Sequence, residues 1–410
     1  MSILFLAHRL PFPPDRGDRI RAHHLLRALA KLAPVHVGCF LESPADRAGL
    51  PELEALAASH HAPMRDTRTW LAGLRALARG RTVSETAFDS AGLRGWAAET
   101  VAREAIDTIV VFSGQMGQFV PPDFDGRLIV DLCDVDSAKF EAYAASGSGP
   151  RRWIDAREGR LLRDVEARLA SQADCTLLVS EEEAALLRSR LPTTATADVR
   201  ALRNGIDHAF FDPQAIRPNA ELAATPGPHL VFTGQMDYAP NVAAVQRAAT
   251  AILPQLRRKH PQAAFHIVGR APTAGVRALE RQAGVRVWGE VPDVRPFLRA
   301  ADIVLAPLTI ARGVQNKVLE AMAMARPVVL SEEAATGIAA QDGKHWRVAQ
   351  DDEAMIAQCD AVLADPNAAQ MLARNARRFV VERQGWDAML APLAAIVGAN
   401  GLREDRRDAA

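Results

Sequence analysis

Residues 306–329 read APLTIARGVQNKVLEAMAMARPVV and carry the pattern that decides the fold. The apolar run Ile303–Ala306 leads into this stretch, and the spacing of its own apolar residues predicts a helix over residues 314–325. A second apolar run, residues 327–330, follows almost at once. A strand, a helix and a strand in this order form a β-α-β unit, which belongs to a parallel sheet.

The same alternation of short apolar runs and longer helical patterns extends outward from this unit in both directions. In the first half we predict strands at residues 3–7, 35–40, 108–112, 128–131 and 175–179. In the second half we predict them at residues 229–233, 264–268, 285–288, 303–306, 327–330 and 345–348. Because these runs are apolar on both faces, helices should cover both sides of each sheet. The predicted fold class is α/β, with two doubly wound, Rossmann-like domains.

The domain boundary is predicted between Arg203 and Pro228. Asn204-Gly205-Ile206-Asp207 carries a turn signal, and several prolines follow it without apolar periodicity. We predict a first domain over residues 1–205 and a second over residues 206–385. A helix over residues 386–398 and a charged tail over residues 399–410 complete the chain.

The composition argues against several classes of protein. The chain has 49 Lys and Arg against 49 Asp and Glu, so no basic field favours nucleic acid as a partner. Its four cysteines form no C-x-x-C pair, which argues against a zinc site and fits a reducing cytoplasm. No window approaches the roughly twenty apolar residues of a membrane span. The first apolar run stops at His8-Arg9, as a buried strand does and a signal peptide does not.

The start of the helix over residues 314–325 is the best candidate for a binding site. Unpaired amides and the helix dipole attract anions there, and Gly313 lets the backbone come close. Lys317 adds a positive charge, and Glu320 lies three residues later on nearly the same face. A nucleotide diphosphate carries phosphates that a cation can bind and two vicinal ribose hydroxyls that a carboxylate can bind. The pair Lys317 and Glu320 therefore suits such a ligand. A capped helix with an ion pair explains the same spacing equally well.

This segment resembles the donor-site signature of family 4 glycosyltransferases, which have the GT-B fold. Four further segments match the family in the same order: residues 203–213, 232–241, 268–270 and 287–293. The resemblance implies two domains facing a cleft, with the last helix returning to the first domain. It also implies metal-independent, retaining transfer of a sugar from a UDP- or GDP-sugar to an acceptor hydroxyl. The branch that the chain resembles most is associated with exosortase/PEP-CTERM systems and exopolysaccharide assembly.

The resemblance further implies the roles of single residues. In the family a Glu-x7-Glu pair opens this helix, and its second glutamate, which holds the ribose hydroxyls, matches Glu320. The first glutamate contacts the transferred sugar, but Arg312 takes its place here. Lys317 and Arg270 are the implied phosphate cations, because residues 235–246 contain no lysine. The other predicted donor contacts are Gly17, Asp18, Arg19, Gly234, Asn241, Val291, Gly313, Val314, Gln315 and Asn316.

Asp134 and Asp136 are the candidates for catalysis. Together with Asp131 they follow a predicted strand, and such a cluster could suit Mg²⁺. The resembled fold holds its diphosphate with helix amides and basic side chains, so we predict no metal and no cofactor. We expect Asp134 or Asp136 to orient the acceptor hydroxyl or to act as its base. A helix N-cap explains Asp136 as well.

Two basic amphipathic stretches, residues 65–81 and 151–168, lie in the first half. Such helices can lie on anionic membranes, although more often they are packed helices with a solvated face. The predicted partners are a nucleotide-sugar donor, a glycan or lipid-linked acceptor, and an anionic membrane surface. The predicted location is the cytoplasm, with peripheral association at the inner face of the plasma membrane as a hypothesis.

Two other functions fit the same features. One is a nucleotide-sugar-binding protein without catalysis. It is suggested by Arg312 in place of the first family glutamate and by the single glycine, Gly17, left in the first loop. A GT-B UDP-sugar 2-epimerase would share the donor site. A nicotinamide dehydrogenase is disfavoured, because no intact G-x-G-x-x-G follows the first strand of either half.

Overall fold

The computed structural model describes residues 1–65, 69–146, 149–193, 196–311 and 314–399. The chain divides into two compact units. Unit 1 comprises Met1–Asn204 and the described residues from Met389 onward, and unit 2 is Gly205–Ala388. Arg312 and Gly313, two residues of the predicted site, lie outside the described residues.

Unit 1 is built on a parallel sheet of seven strands, in the order β3-β2-β1-β4-β5-β6-β7. The strands are β1 Ile3–Ala7, β2 Val35–Cys39, β3 Ser59–His61, β4 Thr108–Phe112, β5 Arg127–Cys133, β6 Cys175–Leu178 and β7 Val199–Ala201. The helices are α1 Gly17–Ala30, α2 Leu50–Glu54, α3 Thr69–Arg79, α4 Val83–Ala87, α5 Ala91–Arg103, α6 Asp136–Ser146, α7 Gly149–Gln172 and α8 Glu181–Arg190. Short 3-10 turns occupy Pro44–Gly49 and Gly114–Phe119.

Unit 2 is built on a parallel sheet of six strands, in the doubly wound order β10-β9-β8-β11-β12-β13. The strands are β8 His229–Thr233, β9 Ala264–Val268, β10 Val285–Gly289, β11 Ile303–Ala306, β12 Val328–Ser331 and β13 Arg347–Ala349. The helices are α9 Ala220–Ala224, α10 Ala239–Arg247, α11 Leu253–Lys259, α12 Ala274–Ala278, α13 Arg295–Ala300, α14 Asn316–Ala323, α15 Glu332–Ala335, α16 Asp352–Ala364 and α17 Pro366–Arg383. A π-helical turn, Ala248–Ile252, and a 3-10 turn, Leu279–Arg281, complete it.

The predicted α/β class with two doubly wound domains is confirmed. All eleven predicted strands are present, with ends shifted by up to two residues. Two observed strands, β3 and β7, were not predicted. They have three residues each and lie at the two edges of their sheet. An edge strand is covered on fewer sides than a central one, so the apolar run that marks the other strands is missing.

Three predicted helices differ from those observed. The helix over residues 314–325 begins at Asn316, because Gln315 has an extended backbone, so Lys317 lies in its first turn. Residues 242–260, where the sequence pattern predicts one continuous helix, are interrupted by the π-helical turn, and Pro254 in the first turn of α11 has no N–H to donate one turn back. The single helix over residues 386–398 is two short ones, α18 Trp386–Met389 and α19 Leu393–Ile396, with Pro392 at the N-cap of the second.

Candidate functional site

Two glycines at the carboxyl ends of β8 and β9 let the backbone of these loops pack closely. Gly234 has φ +156° and Gly269 has φ +152°, a region that favours glycine. A Cβ on Gly269 would lie 1.6 Å from the carbonyl oxygen of Gly234. A Cβ on Gly234 would lie 2.8 Å from Asn241 Nδ2. Both positions therefore exclude a side chain, and Asn241 packs directly on the Gly234 backbone.

Lys317 meets the same loop. Its Nζ donates a hydrogen bond to Asn241 Oδ1, and Asn241 Nδ2 donates to the carbonyl oxygen of Gln235 over 2.9 Å. The Lys317 Nζ also lies 4.4 Å from the centre of the Phe232 ring, within the range of a cation–π contact. These contacts hold the ammonium beside Gly234 at the carboxyl edge of the sheet, where ligands bind in open α/β sheets.

Burial shifts the pKa of both charged residues of α14 toward neutrality. Burial lowers the pKa of Lys317 to about 8, against the opposing charge of Glu320. Burial raises the pKa of Glu320 to about 7, against the charge of Lys317. Within the described residues, no salt bridge joins either group to a partner. The pair therefore offers a cation and a carboxylate, both partly desolvated, to a ligand with anionic and hydroxyl groups.

Gln235 connects Arg270 to the same loop. Arg270 is exposed, and its Nη2 donates to Gln235 Oε1 over 2.9 Å. The carbonyl oxygen of Arg270 accepts from the Met236 amide over 2.8 Å. The sequence analysis did not identify Gln235 as a residue of the site, although its position directly after Gly234 could have indicated it.

The structure places the remaining predicted donor contacts of unit 2 in two groups. Val314 and Gln315 lead into α14, and Asn316 is its first residue, next to Lys317. Val291 follows β10 and packs, together with Val314, against the hydrophobic core of the unit. The predicted ligand contacts of these residues stay predictions.

The charged residues of the first loop of unit 1 are engaged with one another. Asp18 Oδ2 lies 3.2 Å from His8 Nε2 and accepts a hydrogen bond from Arg9. Burial would raise the pKa of Asp18, but hydrogen bonds from His8 and Arg9 hold it well below its ordinary value. Arg19 is buried and donates to Asp46 Oδ1 over 2.7 Å. A Cβ on Gly17, at the start of α1, would meet no atom within 4 Å. Donor binding by this loop stays a prediction.

The three aspartates near the end of β5 do not converge on one point. Asp131 is fully buried; it accepts a hydrogen bond from Arg21 Nε over 2.9 Å, and Arg21 Nη2 forms an ion pair with it at 2.8 Å. Asp134 and Asp136 instead each accept from Lys139 Nζ over 3.0 Å. Among the described residues, no three His, Cys, Asp or Glu side chains are arranged so that they could hold a metal ion together, and Asp131, Asp134 and Asp136 therefore do not form one cluster.

The pairing with Lys139 also constrains the predicted catalytic roles. Burial opposes the charge of Lys139, but Asp136 and Asp134 raise its pKa above the ordinary value, so it stays protonated. An acceptor hydroxyl that donates to the same carboxylate oxygens would compete with this ammonium. The first turn of α6 is capped by Glu166, which accepts from the Ser137 amide over 2.9 Å.

Comparisons with known proteins relate the part of the chain that holds this site to glycosyl transferases. Residues 227–365 match the family model of group 1 glycosyl transferases. The glycogen synthase of Mycobacterium tuberculosis is 27% identical over 257 residues, which cover 60% of this chain. The match spans 58% of the length of that relative.

Solved structures resemble the fold over nearly the whole chain. HepE from Anabaena in complex with UDP has a TM-score of 0.63 and 14% identity, covering 97% of this chain and all of HepE. Sucrose-phosphate synthase from Thermosynechococcus elongatus has a TM-score of 0.58 and 18% identity, covering both chains completely. WaaG, a glycosyltransferase of lipopolysaccharide biosynthesis, has a TM-score of 0.58 and 16% identity, covering 97% of this chain and all of WaaG.

Proposed function

We propose that the chain is a GT-B glycosyltransferase that transfers a sugar from a nucleotide diphosphate sugar to an acceptor hydroxyl, as supported by the match of residues 227–365 to the group 1 glycosyl transferases and by the shared fold. The observation that carries this proposal is the pair of partly desolvated charges, Lys317 and Glu320, beside the close-packed Gly234 loop. The ammonium and the amino end of α14 would stabilise the charge that develops on the leaving diphosphate. The Glu320 carboxylate would accept hydrogen bonds from the ribose hydroxyls.

The finer parts of the proposal concern the donor and the reaction. HepE, which shares the fold, is known in complex with UDP-glucose, and this favours UDP-sugars as the first donors to test. We propose retention at the anomeric carbon without a metal, as in the family 4 enzymes that the sequence resembles. Exopolysaccharide assembly is the proposed pathway on the same resemblance. On the acceptor side, Asp134 or Asp136 would orient the hydroxyl after displacing Lys139.

The first experiment is a thermal-shift screen of the full chain against UDP-, GDP- and dTDP-sugars. A donor that binds the folded protein raises its Tm by an amount that grows with the logarithm of the ligand concentration over Kd. We expect at least one sugar nucleotide to stabilise the chain, and no stabilisation by any of them would contradict the proposed function. Incubation of the best donor with and without lipid-linked acceptors then separates three outcomes. These are sugar transfer, epimerisation of the donor, and binding without turnover.

Donor affinity should pass through a maximum between the two pKa values of the site. Glu320 must be ionised to accept from the ribose hydroxyls, so affinity should fall as pH drops below about 7. Lys317 must be protonated to bind the diphosphate, so affinity should fall as pH rises above about 8. Calorimetric titration with a nucleotide diphosphate sugar at a series of pH values measures this profile. Glu320→Gln should abolish the acid limb alone, and an unchanged acid limb would assign it to another group.

The long helix α7 supports the proposed contact with an anionic membrane. Three of its four acidic residues, Asp155, Glu158 and Glu166, are buried, whereas Asp164 is exposed. Glu158 accepts from the amides of Val83 and Ser84 at the start of α4. With these acids turned inward, the outer face of α7 carries mainly arginines and two large apolar side chains. The exposed residues of that face include Arg151, Arg152, Trp153, Ile154, Arg160 and Arg163.

Helix α3 extends this surface. Arg157 Nη2 of α7 donates to the carbonyl oxygen of Ala76 over 3.0 Å, which places the two helices side by side. Leu74 and Leu77 of α3 are 61% and 53% exposed. Exposed apolar side chains flanked by arginines fit the interface of an anionic bilayer. No helix among the described residues has the length and apolar character needed to cross a bilayer.

Trp153→Ser combined with Ile154→Ser should lower the binding of the full chain to anionic vesicles by at least about tenfold, because burial of each side chain contributes about 1.5–3 kcal/mol. Flotation with phosphatidylglycerol vesicles, and with phosphatidylcholine vesicles for comparison, measures the loss. Met371→Ser, an equally exposed apolar position in unit 2, is the matched control and should not change binding. Absence of lipid-dependent flotation of the unaltered chain would end the membrane proposal.

A further inference from the structure

A cavity of about 270 Å³ lies at the amino edge of the sheet of unit 2. Two of its lining residues, Lys344 and His345, immediately precede β13, and the others include residues from the second half of α17. Because all strands of this sheet are parallel, the cavity lies at the edge opposite to Gly234 and Gly269. It is therefore separate from the candidate donor site.

Three cations line this cavity without a neutralising partner. Within the described part of the chain, no salt bridge joins Lys344, Arg378 or Arg383 to a carboxylate. Arg378 Nη2 donates to Asn375 Oδ1 over 2.5 Å, so this guanidinium is held in place by a neutral group. The one carboxylate in the lining is Glu382. Cations that line one cavity and form no ion pair within the described residues suit the binding of an anion, above all of phosphate.

The inner wall of the cavity adds a further donor and a flat surface. His345 is 8% exposed, and its ring centre lies 4.9 Å from that of Phe379. Its Nδ1 accepts from the Gln341 amide over 2.8 Å, so the neutral ring carries its proton on Nε2. Burial and the charges of Lys344 and Arg378 lower the pKa of His345, which keeps the ring neutral at neutral pH.

We propose that this cavity binds a phosphate monoester of a small polyhydroxylated molecule, such as a sugar monophosphate. Lys344, Arg378 and Arg383 would hold the phosphate dianion. Glu382 disfavours a second anionic group but accepts hydrogen bonds from hydroxyls, which selects an ester with hydroxyl groups over a simple anion. The volume is just below the range of about 300–1,000 Å³ of pockets for drug-sized ligands, so a monosaccharide ester fits better than a chain.

The position of Arg383 connects this cavity to the segment where the chain leaves unit 2. The carbonyl oxygen of the next residue, Gln384, accepts from the Ile206 amide over 2.8 Å. A Cβ on Gly205 would lie 2.5 Å from Trp386 Cα, so the two chain segments near the boundary of the units cross in close contact. A ligand bridging Lys344 and Arg383 would restrain the end of α17 at this crossing.

The test is calorimetric titration of the full chain at constant ionic strength with glucose 6-phosphate, inorganic phosphate and glucose. We expect glucose 6-phosphate to bind most tightly, inorganic phosphate more weakly, and glucose not at all. Arg378→Gln and Lys344→Gln should each weaken glucose 6-phosphate about tenfold or more, because a hydrogen bond to a charged group is worth about 1.5–3 kcal/mol. Arg374→Gln, on the exposed face of α17 outside the cavity, is the matched control and should bind normally.

Two further measurements separate this cavity from the donor site. Lys317→Met should bind glucose 6-phosphate normally, and loss of binding in that variant would place the ligand in the donor site and overturn the proposal. Hydrogen exchange should slow around residues 341–347 and 378–386 when the ester is added. Equal affinity of Arg378→Gln and the unaltered chain, or no saturable binding of either phosphate, would overturn it too. Equal affinity for both phosphates would refute the role of Glu382.

Discussion

Replacing Lys317 by methionine should lower the affinity for a nucleotide diphosphate sugar by about 10- to 100-fold, and replacing Glu320 by glutamine should have a similar effect. A hydrogen bond to a charged group contributes about 1.5–3 kcal/mol, and each 1.4 kcal/mol is a factor of ten in Kd. Methionine keeps the length of the lysine stem without its charge. Glutamine keeps the shape of Glu320 but loses its negative charge. Calorimetric titration with the best sugar nucleotide measures both losses.

The thermal stability of the same variants distinguishes a ligand-binding role of Lys317 and Glu320 from a structural ion pair between them. The pKa of Glu320 is raised to about 7 from an ordinary value of 4.5, so the ionised carboxylate destabilises the folded chain as pH rises through this window. Glu320→Gln should therefore leave the Tm at neutral pH unchanged or raise it while donor affinity falls. Glu333→Gln, an exposed glutamate of unit 2, should change neither quantity. Unaltered donor binding by both Lys317→Met and Glu320→Gln would remove the site assignment.

The second large effect is expected in unit 1, from Asp131→Ala. This change leaves the Arg21 guanidinium, which is 1% exposed, without its carboxylate, and breaking one side of a buried pair costs about 3–5 kcal/mol. Arg21 Nη1 also donates to the carbonyl oxygen of Leu202 and to Asn204 Oδ1, each over 2.8 Å. The pair thus connects α1, β5 and the end of the first part of unit 1. Its loss should weaken all three elements together.

Urea unfolding, with hydrogen exchange of the β5 amides as a local measure, tests this expectation. Asp123→Ala, an exposed aspartate of the same unit, is the control and should change the free energy of unfolding by less than about 0.5 kcal/mol. The double replacement Arg21→Met with Asp131→Leu should recover much of the loss, because it removes both charges. A free energy of unfolding that Asp131→Ala leaves unchanged would show that Arg21 is not held by this carboxylate.

The sequence by itself determined the α/β class, the two doubly wound sheets and the segment that holds Lys317 and Glu320. Apolar runs such as Ile303–Ala306, and the turn-by-turn spacing of α14, depend on neighbours a few residues away. A buried strand or a helix face therefore leaves its mark in the local pattern. The edge strands β3 and β7 leave a weaker mark, because only part of their surface is buried.

Only the tertiary structure decided which charges meet. Arg21 and Asp131 are 110 residues apart, and the sheet order brings them together while Lys139 binds Asp134 and Asp136. The sequence shows three neighbouring carboxylates and cannot rank their distant partners, because a salt bridge depends on distance and burial in the folded chain. For the same reason the pattern of α7 does not show that Asp155, Glu158 and Glu166 are buried while Asp164 and most of its arginines are exposed, since both kinds of residue recur along the whole helix.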